Sequence, residues 1–147
     1  MSGVAFQIET QGFPEVEGFL LGLSSIELED LTHNIAALLV ASTQERIKSD
    51  QTSPDGEPWQ DWSDEYALTR HDNQSLLNSS GDLINTLDSA STGSTVRVGS
   101  NLLYAAIHQA GGEALGINIP ARPYLGLSED DRAAISALVT GEWEDLL

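Results

Sequence analysis

The sequence predicts an α+β fold: a small antiparallel sheet packed on a long helix, with additional short helices and a long flexible loop. Three observations carry this expectation. Leu31, Ile35, Leu38, Leu39 and Ser42 trace one face of a helix running from about residue 27 to residue 48. Residues 4–10 (VAFQIET) and 95–98 (TVRV) alternate apolar and polar side chains with the period of a strand. Residues 49–58 (SDQTSPDGEP) are a cluster of turn formers with little to bury, which predicts a mobile loop. At 147 residues the chain is read as one domain, 1–147, long enough to bury a core.

Taken in order, the first strand is punctuated by Gly12 and Pro14. Val16, Phe19, Leu20 and Leu23 fall at helical spacing and predict a short helix. In the long helix, Glu27, Glu29 and Asp30 crowd the first turn, and Arg46 and Lys48 sit in the last; both placements favour the helix dipole. Residues 63–69 predict a helical turn capped by Ser63, with Tyr66 facing inward. Residues 83–87 (LINTL), after Ser79-Ser80-Gly81-Asp82, predict a short helix burying Leu83, Ile84 and Leu87, and 89–94 read as a turn-rich bridge. The strand at 95–98 puts Val96 and Val98 on one face and Arg97 on the other. Residues 101–109 predict a helix with Leu103, Ala106, Ile107 and Ala110 as its apolar stripe, ended by Gly111-Gly112. Ile117 and Ile119 alternate as a strand into Pro120. A last helix starts at Ser128, an N-cap before Glu129, Asp130 and Asp131, and buries Ala134, Ile135, Leu138 and Val139.

Composition narrows the chemistry. There is no cysteine, hence no disulfide, thiolate zinc site or thiol nucleophile. The longest apolar run, 35–41, is far too short to span a bilayer, and no basic residue precedes Arg46 to form a secretory leader. The formal charge is −17. Residues 1–45 hold seven acids and no base, 46–100 nine acids against four bases, and 101–147 seven against two, so the segments contribute −7, −5 and −5. Binding a phosphate backbone needs Lys and Arg, so neither nucleic acid nor an anionic membrane is an expected partner. The acidity reads as a solvated coat, as repulsion of DNA passing nearby, or as mimicry of DNA that captures a basic protein.

Individual residues add less. His33, His71 and His108 have no second ligand at metal-site spacing, and neither a Walker lysine nor a GxGxxG accompanies Gly111-Gly112; no metal or cofactor is expected. His108 shares a helical face with Tyr104 and adjoins Gln109. It reads as a hydrogen-bonded structural histidine or, in a hydrolase, as a base for a nucleophile such as Ser100, although no GxSxG elbow is present. Trp59 and Trp62, three apart, read as anchors for the far end of the loop or as a binding platform. Arg122, held between Pro120 and Pro123 on a stiff, extended backbone, reads as one half of an intramolecular salt bridge or as an anchor to a neighbouring subunit.

The order of these motifs resembles the phage virion morphogenesis, or tail completion, proteins of Mu-like and P2-like phages. VRVGSNLLYAAIHQAGG followed by IPARPYLGLS carries the resemblance, with TQERIKSDQTSPDGEPWQDWS and SSGDLINTL upstream. Ala110 departs from it, standing where an aromatic often follows His-Gln. The resemblance implies a structural virion protein and not an enzyme. It implies a homo-oligomeric ring at the head–tail junction, assembled in the host cytoplasm, contacting tail-tube or terminator and neck or head-connector proteins while DNA passes through. Tyr104, His108, Gln109, Arg122, Pro123 and Tyr124 are then the candidate assembly motif. The competing reading is an acidic DNA mimic that inhibits a basic nucleic-acid-binding protein.

Overall fold

A computed structural model describes residues 4–8, 25–93 and 95–146. Three strands form one antiparallel sheet in the order β1-β3-β2: β1 (Val4–Ile8), β2 (Asp88–Thr92) and β3 (Thr95–Ser100). In the register Val4 lies opposite Ser100 and Ile8 opposite Val96, while Asp88 lies opposite Gly99 and Thr92 opposite Thr95. The alternation of β3 does what its sequence predicts: Val96, Val98 and Ser100 are buried, and Arg97 is exposed with its Nε donating to Gln7 Oε1 at 2.7 Å.

The long helix α1 (Ser25–Glu45) packs on this sheet and runs directly into a π-helical segment, Arg46–Asp50. Leu31, Ile35, Leu39 and Thr43 form its buried stripe; in the π segment the adjacent Arg46 and Ile47 both point inward. The turn closes at Gln51, whose φ of 57° is left-handed and whose side-chain amide bonds the carbonyls of Ile47 and Leu76. Three short helices follow, α2 (Asp64–Ala67), α3 (Asp82–Thr86) and α4 (Ala105–Ala110), and then the last helix, α5 (Glu129–Leu146). Ile135 and Val139 of α5 join the same core as Leu83, Leu87, Trp59 and Tyr124.

Several expectations change. The bridge at 89–94 is largely strand β2, because Asp-Ser-Ala-Ser-Thr needs no apolar alternation at a sheet edge where one side faces water. Ile117 and Ile119 belong to no strand: a 3₁₀ turn at Glu113–Leu115 leads into a tight loop in which Ile117 donates to the Gly112 carbonyl at 2.9 Å, leaving Ile117 exposed. The helix expected from residue 101 begins only at Ala105, so its buried face is set by Ala105, while Leu103 and Ala110 are exposed. It does end at Gly111, whose φ of +82° strains any other residue. Ser63 caps α2 as expected, accepting from Tyr66 N at 3.2 Å, but Tyr66 faces outward. The helix predicted around Val16–Leu23 lies outside the described residues.

The loop at 49–58 is a small closed hairpin. Thr52 bridges Pro58, Ser53 N donates to the Glu57 carbonyl (2.8 Å), and the Asp55 carboxylate receives the Ser53 hydroxyl at 2.9 Å. Those bonds hold the Asp55 carboxyl below its ordinary pKa, the Ser53 hydroxyl contributing most.

Candidate assembly site

Residues 122–125 belong to no helix or strand, and no strand among the described residues pairs with them. Their backbone groups are instead satisfied by side chains brought from three distant places and by one main-chain carbonyl, which is how a buried chain without a sheet meets its hydrogen-bonding requirement. Trp59 Nε1 donates to the Pro123 carbonyl at 2.7 Å, Arg46 Nη1 to the Tyr124 carbonyl at 2.7 Å, and Gln109 Nε2 to the Leu125 carbonyl at 3.2 Å. On the donor side, Gln109 Oε1 accepts from both Tyr124 N (3.1 Å) and Leu125 N (3.0 Å), and the His108 carbonyl accepts from Arg122 N at 2.7 Å. One glutamine amide therefore takes the part of a neighbouring strand. Tyr124, wholly buried, closes the knot by donating its hydroxyl to the Ala105 carbonyl at 2.9 Å, and burial pushes its phenol well above the ordinary pKa. Trp59, just after the loop, is buried, and its indole points into the knot and not onto the surface. The hairpin beside it seats Pro54 against Gly126, where a β-carbon would stand 2.9 Å from the proline ring.

A second feature supports the knot from below. Arg46 pairs through Nη2 with Asp131 Oδ2 at 3.0 Å, both side chains about 5% exposed. Asp131 also accepts from Ser42, and it exchanges bonds with Ser128 in a reciprocal cap at the start of α5: Ser128 N to Asp131 Oδ2 and Asp131 N to Ser128 Oγ, each 3.0 Å. Burial works to raise the Asp131 pKa, but the Ser128 amide, the Ser42 hydroxyl and the Arg46 charge together hold it below the ordinary value. Arg46 is therefore far more than a helix-end charge, and Ser128 is the cap the sequence predicted.

Arg122 extends outward from the knot. It forms no salt bridge among the described residues; its guanidinium grips the far end of the loop instead, Nε donating to the Gln60 carbonyl at 2.7 Å and Nη2 to the Asp61 carbonyl at 3.2 Å. Burial lowers its pKa, and nearby Asp61 and Tyr66 offset part of that. Beside it, the His108 ring meets Tyr104 edge-on, centroids 5.5 Å apart. His108 Nδ1 is buried and has no hydrogen-bond partner among the described residues, while burial first and the Arg122 charge second depress its pKa. Ser100 is not brought to His108: its hydroxyl bonds Thr86 Oγ1 (2.9 Å) and Leu102 N (3.2 Å). Trp62, half-buried, packs edge-on to Tyr66 at 6.3 Å, and Arg70 lies 4.5 Å over the Tyr66 ring. Trp62, Tyr66, His108 and Arg122 are the common wall of two adjoining hollows of about 280 and 310 Å³.

So the structure brings the predicted residues together in two different ways. Trp59, Gln109, Pro123 and Tyr124 form an internal knot, whereas Trp62, Tyr104, His108 and Arg122 line a cleft. Sequence reasoning missed Asp131 as the partner of Arg46, and Gln109 as a backbone clamp. Among the described residues, no cluster of three or more His, Asp or Glu side chains is arranged to hold a metal ion, and no helix is long and apolar enough to cross a membrane.

Comparison with known proteins places this arrangement among relatives. Residues 16–143 match the sequence model of the phage virion morphogenesis family. A protein of Escherichia phage Mu, provisionally named capsid assembly protein G, is 36% identical over 104 residues, which is 65% of this chain and 66%, just under two thirds, of that relative. No solved structure matches.

Proposed function

The chain belongs to the phage virion morphogenesis family and is a phage virion-assembly protein, and we propose that it completes the tail, or joins it to the head, as an oligomeric ring at the head–tail junction. The observation that carries this reading is the convergence of three of the four family-like motifs on one place. The end of the long helix supplies Arg46, the loop supplies Trp59, the short α4 supplies Gln109, and the Pro-Ala-Arg-Pro-Tyr segment is what all three hold. A motif set joined by internal hydrogen bonds, with no nucleophile and base paired in it among the described residues, fits a protein whose task is to present a rigid surface.

The charge of −17 fits the same role. A ring that DNA crosses works best when its wall repels phosphate, and a lumen rich in Asp and Glu does so. The partners on this reading are further copies of the chain, a tail-tube or terminator protein below and a neck or head-connector protein above. The name of the phage Mu relative supports a second reading, a role in building the capsid itself. An acidic DNA mimic, by contrast, leaves the order of the matched motifs without a reason.

Deleting the gene from its phage separates the first two. Head–tail joining predicts filled heads and free tails accumulating side by side in electron micrographs of the lysate. Lysates lacking closed heads would overturn it in favour of capsid building.

A further inference from the structure

The cleft beside the knot has features that the internal architecture does not use. Of the large hydrophobic side chains exposed among the described residues, Tyr66 and Tyr104 line it, while Leu68 and Leu103 adjoin lining residues in the chain, two before Arg70 and one before Tyr104, and Ile117 immediately precedes Asn118 of its wall. Leu68 is 87% and Leu103 75% exposed, on a chain whose surface is otherwise strongly acidic. Apolar residues gathered on the rim of a hollow mark an interaction surface more than scattered ones do. Within the hollow, Arg122 is a buried guanidinium that meets two carbonyls but no carboxylate among the described residues. The Asp61 charge, acting from beyond salt-bridge distance, offsets only part of the cost of burying that cation, and an incoming carboxylate offsets more.

We infer that this cleft is the contact between neighbouring copies of the chain, receiving an acidic side chain of the next subunit between Arg122 and Arg70 while that subunit's apolar groups cover the rim. The assignment rests on the ring reading above and supplies its contact. Two of the six Lys and Arg residues line one hollow here together with His108, although Asp61 and Asp82 also stand on the walls. The other copy is a fitting occupant because the same chain carries 23 acids to offer. A contact between two different patches on identical molecules is also what closes a cyclic ring. Single-stranded nucleic acid would find aromatic rings and arginines here, but the aliphatic rim offers its sugars and phosphates nothing and the net charge repels it. Aromatic residues and arginine at the centre with leucines around them match the make-up of protein–protein contacts.

The test is native mass spectrometry across a concentration series, on the full chain and on Arg70→Glu, Leu68→Asp and, as a control, Ala37→Asp on the exposed face of α1. Leu68 and Ala37 are exposed, so neither change disturbs the core. Expected is an oligomer for the full chain and the control, and association weakened about tenfold or more for the two cleft variants. Oligomers that persist unchanged in both cleft variants overturn the cleft assignment and leave the ring reading standing. A full chain that stays monomeric throughout overturns both. A photo-crosslinking residue in place of Tyr104, in a mixture of heavy- and light-isotope copies, should join heavy to light through a peptide containing Asp or Glu; crosslinks confined to one copy overturn the assignment.

Discussion

The knot around residues 122–125 and the cleft beside it share a backbone segment but obey different rules. In the knot every backbone polar group of Pro123, Tyr124 and Leu125 that needs a partner has one, supplied by Trp59, Arg46 or Gln109, and the Tyr124 hydroxyl has the Ala105 carbonyl. In the cleft, a few ångströms of chain away, Arg122 lacks a carboxylate, His108 Nδ1 lacks any partner among the described residues, and leucines stand in water. Satisfied groups stabilise a fold, and unsatisfied ones beside exposed apolar side chains wait for something to cover them. Proximity in sequence therefore says little about role: Arg122 and Tyr124 are two residues apart, and one faces outward business while the other is sealed.

Substitutions can break this contrast. The largest effect is expected at Arg46→Ala, which strands the Asp131 carboxylate and the Tyr124 carbonyl; removing one member of a buried ion pair costs about 3–5 kcal/mol. Urea unfolding measures it, and a loss below about 1 kcal/mol would mean the pair is hydrated. Next comes Gln109→Ala, which leaves the amides of Tyr124 and Leu125 and one carbonyl without partners, for roughly 2–3 kcal/mol. Tyr124→Phe deletes a single bond to Ala105 and should cost about 1 kcal/mol.

Acid sharpens the same contrast from another side. Asp131 has its folded pKa below the ordinary carboxylate value of 3.8, so its contribution is complete above that value and is lost as pH falls through the folded pKa. His108 also has a depressed folded pKa, below 6.5, but as a base that is stable when neutral. Its share is complete above pH 6.5 and declines as pH drops from there toward its folded value. Two steps in stability are thus expected on acidification, the upper absent in His108→Phe and the lower absent in Asp131→Asn. A single step in the wild type would contradict the assignment.

Much of the frame was legible in the sequence, for local reasons. The long helix has a stripe of apolar residues, β3 alternates, and Ser128 precedes three acids. Trp59 and Trp62 read from the sequence as loop anchors or as a binding platform, and the two indoles part company in the fold: Trp59 is buried in the knot and Trp62 lines the cleft. What stayed hidden was long-range or polar. Arg46 and Asp131 lie 85 positions apart, and nothing local to either announces the other. β2 has no hydrophobic signal because its edge position asks for none, while Ile117 and Ile119 have the signal but sit in a loop pulled tight by Gly112. Gln109 was singled out as a residue and its role was missed, since an amide that imitates a strand has no pattern in one dimension. Arg122 was expected to meet a carboxylate or a neighbour. Inside the chain it meets carbonyls, which leaves its charge available.

The division between a sealed knot and an open rim is tested most directly by one variant measured twice. Leu103→Asp places a charge on a side chain that is 75% exposed, so the unfolding free energy measured in urea should change by less than about 0.5 kcal/mol. Sedimentation velocity on the same sample should show the oligomer lost while wild type retains it. An oligomer that survives Leu103→Asp intact, or a fold that fails with it, would contradict the account.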